Sequence, residues 1–365
     1  MTDYMERAIA LARKGIVTCR PNPMVGAVIV KNNRIIGEGY HEVCGGPHAE
    51  RNAIADMKKH GFDAHGATLY VTLEPCCHHG RTAPCTDAII EEGFSKVVIG
   101  SRDPNPLVSG KGVKILKDAG IKVVQDFMKE ECDALNPVFF HYITTKTPYV
   151  RFKYAMTLDG KIATKIGASR WISCEKSLEY VHKMRAENYA IMVGVNTVIE
   201  DNPLLTCRLV KDGRNPIRII CDSNLRIPTT SRIVLSCSFL KTIIATTEKQ
   251  LDTEEAEILR EKGAVLVAAG NGEHVDLNIL MQKLGEMEID SILLEGGPTL
   301  AESAIKAGIV NEIYTFVAPK IFGGTAKSAV EGEGVQLPDQ AAMFDIKSTG
   351  IIGDDILIIS KKREG

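Results

Sequence analysis

Histidine and cysteine crowd into one stretch of this 365-residue chain. His41, Cys44, His48, His60, His65, Cys76, Cys77, His78, His79 and Cys85 place six of nine histidines and four of ten cysteines between positions 41 and 85. In a reducing compartment such clustering points to metal binding or catalysis, not to a disulfide framework. His48, Cys76 and Cys85 offer one imidazole and two thiolates, and a catalytic zinc takes three protein ligands and keeps a fourth position for water. Glu50 follows His48 by two residues, close enough to reach that position without binding the ion. Two thiolates cancel the charge of Zn²⁺ and weaken its pull on water, so a carboxylate base is needed to carry the water proton to a leaving nitrogen. A closed structural site is the alternative. It would draft Cys77, His78 or His79 as fourth ligand and leave Glu50 without a role. Taken singly, Cys44, Cys77, His60 and His65 read as ordinary structural residues.

The elements that must position these groups alternate between helix and strand. Thr2 or Asp3 is predicted to cap a helix that carries Met5, Ala8, Ile9 and Ala12 on one face and stops at Gly15. Val25 to Val30 is a short, wholly apolar run, the pattern of a buried strand. Asn32-Asn33 then signals a turn into a partner strand, Arg34 to Tyr40. A helix is predicted from His48 to Lys59, a strand from Thr68 to Leu73, and a helix from Cys85 to Glu92. A strand from Lys96 to Ser101 and a helix from Val113 to Ala119 follow. His48 and Cys85 therefore both open helices, where the helix dipole favours a thiolate. The polar run Thr144-Thr145-Lys146-Thr147-Pro148 predicts a boundary. Beyond it, strands are predicted at 149–155, 189–194, 217–222, 242–246, 264–267, 290–295, 312–317 and 355–360. The pattern is an α/β fold in two domains, 1–147 and 148–365.

Composition narrows the function classes. Hydrophobic residues make up 44% and charged residues 25%, which excludes disorder, collagen-like repeats and coiled coil as the main architecture. A net charge of −2 gives no global field for nucleic acid or an anionic membrane. No apolar run approaches the roughly 18 residues of a membrane helix. Asp3, Glu6 and Arg7 in the first residues do not fit a signal peptide. A cytoplasmic location is the expectation.

The order His48-Ala49-Glu50 and then Pro75-Cys76 is the zinc-deaminase signature H-x-E…P-C-x-x-C, except that eight residues separate Cys76 from Cys85. The run Pro75-Cys76-Cys77-His78-His79-Gly80-Arg81-Thr82-Ala83-Pro84-Cys85 resembles the pyrimidine deaminase of riboflavin biosynthesis, as do Asn22-Pro23-Met24-Val25-Gly26-Ala27 and His48-Ala49-Glu50. Cys77 stands where that family suggests serine, and Ala83 where it suggests proline; neither is a proposed ligand. Asn22 and His41 are candidates to line the pocket, Asn22 the stronger because an amide can pair with a pyrimidine edge.

The second half lacks the G-x-G-x-x-G dinucleotide fingerprint. It offers a buried strand, Ser291 to Leu294, running into Glu295-Gly296-Gly297-Pro298-Thr299. Thr299 is predicted to cap a helix whose first N–H groups can hold a phosphate. Ala155-Met156-Thr157-Leu158-Asp159-Gly160-Lys161, Ser169-Arg170-Trp171-Ile172-Ser173 and Gly194-Val195-Asn196-Thr197 through Asp201-Asn202-Pro203-Leu204-Leu205-Thr206 look like the riboflavin-specific reductase.

Together the halves resemble, over essentially the whole chain, the bifunctional riboflavin biosynthesis family. The resemblance implies a cytidine-deaminase-like α/β/α sandwich followed by a dihydrofolate-reductase-like α/β domain, with Zn²⁺ and NADPH as cofactors. It implies hydrolysis of the 2-amino group of 2,5-diamino-6-(5-phosphoribosylamino)pyrimidin-4-one. Hydride transfer from NADPH to the ribosyl C1′ would follow, giving 5-amino-6-(5-phosphoribitylamino)uracil. By the same resemblance Ala155, Trp171, Thr197, Asp201 and Ser223 meet NADPH. Gly297, Pro298, Thr299, Leu300, Ala301, Glu302 and Ser303 form its phosphate loop. Ser169, Arg185, Leu205, Arg208 and Glu295 hold the ribosyl substrate, with Lys153 near the opened sugar. Guanidinium pairs bidentately with phosphate, so Arg185 and Arg208 suit the sugar phosphate. A small-molecule substrate, no nucleic-acid or membrane partner, and a homo-oligomer complete the expectation.

Two other classes compete with this reading. A zinc deaminase acting on nucleic acid, with a C-terminal binding module, requires a basic face and exposed aromatics. The charge balance and 5% aromatic content oppose it. A structural zinc scaffold requires a four-ligand site and no NADPH binding.

Overall fold

The computed structural model describes residues 1–78, 83–105, 108–211 and 213–363. His79 and the rest of the 79–82 stretch of the insert lie outside the described residues. The chain forms two compact units, Met1–Thr145 and Lys146–Gly365.

In the first unit the elements run α1 (Thr2–Ala12), β1 (Gly26–Lys31), β2 (Arg34–Tyr40), α2 (Ala49–Lys59), β3 (Thr68–Leu73), α3 (Cys85–Glu91), β4 (Lys96–Ser101), α4 (Lys111–Asp118), β5 (Lys122–Val124), α5 (Lys129–Asp133) and α6 (Pro137–Thr145). The sheet order is β2-β1-β3-β4-β5, with β1 antiparallel to both neighbours and β3, β4 and β5 parallel. Strand β1 is apolar from Gly26 to Val30 because both its faces are covered. Ala27 and Ile29 pack with Ala53, Met57, Ile89 and Leu116 on one face. Val28 and Val30 pack with Met5, Ala8, Ile9 and Cys132 on the other. This is the expected α/β/α sandwich. Gly26 is required by close approach: a Cβ there would lie 1.9 Å from the Ala8 carbonyl oxygen of α1.

The first helix differs from its sequence expectation at the cap. Helix α1 already includes Thr2, Met1 precedes it, and no side chain caps it. Asp3 lies inside the first turn, where its charge complements the dipole. Helix α6 continues through Thr144 and Thr145, so part of the polar run read as a boundary is helical; both hydroxyls bond back to carbonyls of the preceding turn.

The second unit runs β6 (Tyr149–Thr157), α7 (Glu175–Glu187), β7 (Ala190–Gly194), α8 (Val195–Asp201), β8 (Ile217–Cys221), α9 (Arg232–Leu235), β9 (Thr242–Thr246), α10 (Glu254–Glu261), β10 (Val265–Ala268), α11 (Leu277–Glu286), β11 (Ser291–Leu294), α12 (Pro298–Lys306), β12 (Val310–Ala318), β13 (Phe344–Ile352) and β14 (Asp355–Lys362). The sheet order is β10-β9-β8-β7-β11-β6-β12-β14-β13. It is parallel from β10 to β12, and β14 pairs antiparallel with both β12 and β13. Ile219, Ile243 and Ala245 pack with Leu280, Leu284 and Ala304 of α11 and α12. Ile220 and Ile244 face the opposite way, against Val198, Ile233 and Leu259. After β6 the chain steps past one strand position to β7, runs outward to β10, and returns to insert β11 between β7 and β6. Crevices at such a switch point, at the carboxyl ends of the strands, are where α/β sheets bind ligands.

Strand β13 is absent from the sequence expectation. Its Phe-Asp-Ile-Lys-Ser-Thr-Gly-Ile-Ile run is an exposed edge, and no buried face imposes a hydrophobic alternation. Among the described residues no helix is long and apolar enough to cross a membrane.

Candidate metal centre and nucleotide cleft

His48 is the N-cap of α2, in extended conformation, so its side chain stands at the helix mouth while Glu50 enters the first turn. Cys85 begins α3 directly after Pro84. The backbone N–H groups of Cys85 and Thr86 both reach the Cys76 carbonyl, at 3.1 and 3.2 Å, and pin the two cysteine segments together. The result brings His48, Cys76 and Cys85 into one group, with all ligand atoms within 4.8 Å of one another. His48 Nδ1 is 3.4 Å from Cys76 Sγ and 3.4 Å from Cys85 Sγ. Zn–N near 2.0 Å and Zn–S near 2.3 Å at a tetrahedral angle imply an N···S edge of about 3.5 Å. The donor set and its spacing fit zinc.

Cys77 and His78 do not join this group, which has three members among the described residues. Two adjacent thiols share the site unequally. Cys76 is drawn down to about 4 by hydrogen bonding from Cys85, with His48 contributing, whereas Cys85 rises. A divalent cation removes that competition, because both sulfurs then bind as thiolates.

Glu50 is 3% exposed. Burial pushes its carboxyl up, Cys76 adds to this, and His48 opposes it. A carboxylate held in this way can both accept and return a proton. Asn22 is half-buried, and its Nδ2 lies 3.0 Å from His41 Nε2. His41 Nδ1 lies 3.0 Å from the Pro47 carbonyl, so Nδ1 carries the hydrogen and Nε2 accepts from Asn22. Burial lowers His41, which keeps it neutral in that role. His41 itself is buried.

Two acids near the site escaped the sequence reading. Glu74 is buried, and its carboxylate accepts N–H groups of Gly110 and Val113 at 3.1 and 3.3 Å, tying the segment before Cys76 to the start of α4. Asp103 lies two residues beyond β4 and is pushed up to about 6 by burial. Its sequence signal is the Asp-Pro-Asn-Pro turn after a strand, which carries no metal or catalytic spacing.

In the second unit a cleft of ≈ 760 Å³ opens at the carboxyl ends of β7, β8 and β11. Thr197, Ser223, Gly297, Pro298, Thr299, Leu300 and Ser303, seven of the residues assigned to NADPH by resemblance, line it. Residues 298–303 of the expected phosphate loop form the first turns of α12. Gly297 is the N-cap of α12 and Pro298 its first residue, so Thr299 is not the cap. Proline is suited to that position because it has no N–H to leave unpaired. A Cβ on Gly297 would meet nothing nearer than Thr197 Oγ1 at 3.5 Å, so the space in front of the helix start is open for a phosphate. Ala301 is packed in the core, and Ala155, Trp171, Asp201 and Glu302 are not among the lining residues. Trp171 is 67% exposed. The sequence reading missed Asn196, Arg226, His274 and Lys327 on the walls; Asn196 sits in a quoted motif without an assigned role, and the other three belong to loops without a motif.

A charged cluster lies beside β6 and β11. Arg185 Nε and Nη2 donate to the two carboxylate oxygens of Glu295 at 2.7 and 2.9 Å, and Nη1 donates to the Thr206 carbonyl. Burial pushes Glu295 up, but Arg185 and Lys153 outweigh it and hold the carboxyl low. Burial lowers Lys153 against the pull of Glu295. Arg208 is exposed and donates to Thr206 Oγ1 at 3.0 Å; its backbone N–H donates to His182 Nδ1 at 3.0 Å. Ser169 is half-buried. The Leu205 side chain packs in the core, and its φ of +54° is a conformation that L-residues adopt only when the surroundings impose it.

Residues 1–101 match the cytidine and deoxycytidylate deaminase zinc-binding region, and residues 148–358 match the RibD C-terminal domain. The chain is 54% identical to the riboflavin biosynthesis protein RibD of Actinobacillus pleuropneumoniae, over 98% of this chain and 94% of that one. It is 40% identical to the RibD of Escherichia coli K12, over 97% of each. Among solved structures it is similar to a diaminohydroxyphosphoribosylaminopyrimidine deaminase/5-amino-6-(5-phosphoribosylamino)uracil reductase from Thermotoga maritima. That likeness has a TM-score of 0.88 and 40% identity, covering 99% of this chain and 98% of that one.

Proposed function

The chain belongs to the RibD family of bifunctional riboflavin biosynthesis proteins, and from that membership we propose how its residues divide the work. It is a zinc-dependent deaminase and an NADPH-dependent reductase. Residues 1–147 carry out the deamination and residues 148–365 the reduction. The substrates are those in the name of the Thermotoga relative: a diaminohydroxyphosphoribosylaminopyrimidine, then 5-amino-6-(5-phosphoribosylamino)uracil. The observation that carries the reading is the His48, Cys76, Cys85 group with buried Glu50 beside it, on the same chain as an open nucleotide cleft.

His48, Cys76 and Cys85 hold the zinc, which when bound supplies Lewis-acid activation of water. Glu50 takes the water proton and delivers it to the exocyclic nitrogen, which leaves as ammonia. Asn22, fixed by His41, presents an amide to the pyrimidine edge. In the second unit NADPH, held by Thr197, Ser223 and the start of α12, would supply the hydride for the sugar carbon. Glu295 and Arg185 form a rigid wall, and Lys153 next to them donates to the oxygen or nitrogen on that carbon. Arg208 and Ser169 meet the ribosyl phosphate. The protein works in the cytoplasm on a small molecule and assembles as a homo-oligomer.

The separate fragments test this division. Residues 1–147 should deaminate without NADPH. Residues 148–365 should bind NADPH without zinc and reduce only the deaminated compound. A folded second fragment that ignores NADPH, while the full chain binds it, would overturn the division.

A further inference from the structure

We propose that Arg226 reads the 2′-phosphate of NADPH and thereby sets the preference for NADPH over NADH. The proposal rests on the assignment of the 760 Å³ cleft to the nucleotide. A dinucleotide on a parallel sheet places its pyrophosphate at a helix start beside the switch point. Here that start is Gly297-Pro298 of α12, next to β7. The nicotinamide must point to Lys153 on β6, so the adenosine half points the other way, past Thr197 to the end of β8.

At the end of such a strand an acid would read an unphosphorylated ribose. Asp222 is the acid at the end of β8, two strands from β11, but it is wholly buried. One carboxylate oxygen accepts the Arg226 N–H at 3.0 Å and the other the Ile227 N–H at 2.8 Å. Its hydrogen-bonding capacity is directed into its own turn and not at the cleft. The same turn sends the Arg226 side chain outward to the cleft wall, where Nη2 donates to Asn196 Oδ1 at 2.8 Å. The other long cation on the wall, Lys327, is already paired with Glu200 at 3.2 Å. Arg226 forms no salt bridge among the described residues, and its remaining donors form a planar fork that matches a phosphate. The turn therefore buries the group that would favour NADH and exposes the one that favours NADPH.

Equilibrium fluorescence titration with NADPH and NADH tests this, together with competition by adenosine 2′,5′-bisphosphate and adenosine 5′-phosphate. Arg226→Gln should weaken NADPH and the bisphosphate by about 10- to 100-fold and leave NADH within about twofold. Arg226→Lys should recover part of the loss, since it restores charge without the fork. An unchanged NADPH-to-NADH ratio in Arg226→Gln overturns the proposal, as does an equal loss for both dinucleotides. Gly297→Val separates the two levels, because its Cβ is accommodated and its bulk fills the approach to α12. If it weakens both dinucleotides while Arg226→Gln weakens neither, the cleft assignment stands and the role of Arg226 falls. If it affects neither dinucleotide, the cleft assignment falls and takes the proposal with it.

Discussion

Arg185 clasps Glu295 through two parallel hydrogen bonds of 2.7 and 2.9 Å, with side chains only 14% and 12% exposed. Guanidinium chemistry alone makes Arg185 and Arg208 equal candidates for the sugar phosphate. The fold makes them unequal: Arg185 is committed to a buried carboxylate, and Arg208 is exposed. Arg185→Met should therefore strand a buried carboxylate and destabilise the chain by about 3–5 kcal/mol. Arg208→Gln should stay within about 0.5 kcal/mol and raise the KM for the phosphorylated substrate by about 10- to 100-fold. Chemical denaturation and steady-state reductase kinetics on both variants check this; matching stability losses would show that the two arginines are equivalent after all.

The metal prediction follows from the three-atom geometry. One zinc should bind per chain, and Cys85→Ala should lose it, because a tetrahedral catalytic site has no spare protein ligand. Stripping the metal should stop deamination and leave NADPH oxidation on the deaminated substrate largely intact. Metal analysis decides: two zincs per chain, or full occupancy in Cys85→Ala, would refute the ligand set.

Glu50→Gln preserves size and hydrogen bonding but cannot carry a proton. Deamination should fall by about 10²- to 10⁴-fold with zinc content unchanged. Ammonia release within about threefold of the parent would assign the proton to another group.

His182 gives the fold a pH signature. Burial, reinforced by Arg185 and Arg208, pushes it down to about 4, against about 6.5 in an unfolded chain. Between those values the unfolded chain binds the extra proton, so stability is complete above about pH 6.5 and declines as pH falls toward 4. His182→Asn keeps an acceptor for the Arg208 N–H but does not titrate there. The drop in melting temperature between pH 7 and pH 5 should be smaller in the variant. An identical drop would show that His182 is not the group responsible.

The parts of the molecule with local signals are legible from residue order. His48-Ala49-Glu50 needs only a helix start to set ligand and base side by side, and β1 announces itself as a short apolar run because both its faces are buried. Whatever depends on distant partners emerges only when the chain is folded. His48 meets Cys76 and Cys85 across 28 and 37 residues of chain, and Arg185 meets Glu295 across 110. Arg226 gains meaning only because Asp222 turns inward beneath it. Strand β13 stayed hidden because an exposed edge has no buried face to pattern its residues. The residue types offer Thr299 as a helix cap and the resemblance implies a phosphate loop from Gly297, whereas packing of Ala301 and Ala304 against the sheet carries the helix back to Pro298. Periodicity and motif spacing report what a segment does with its neighbours along the chain. Charge pairing and cleft walls depend on which segments the sheet order places together.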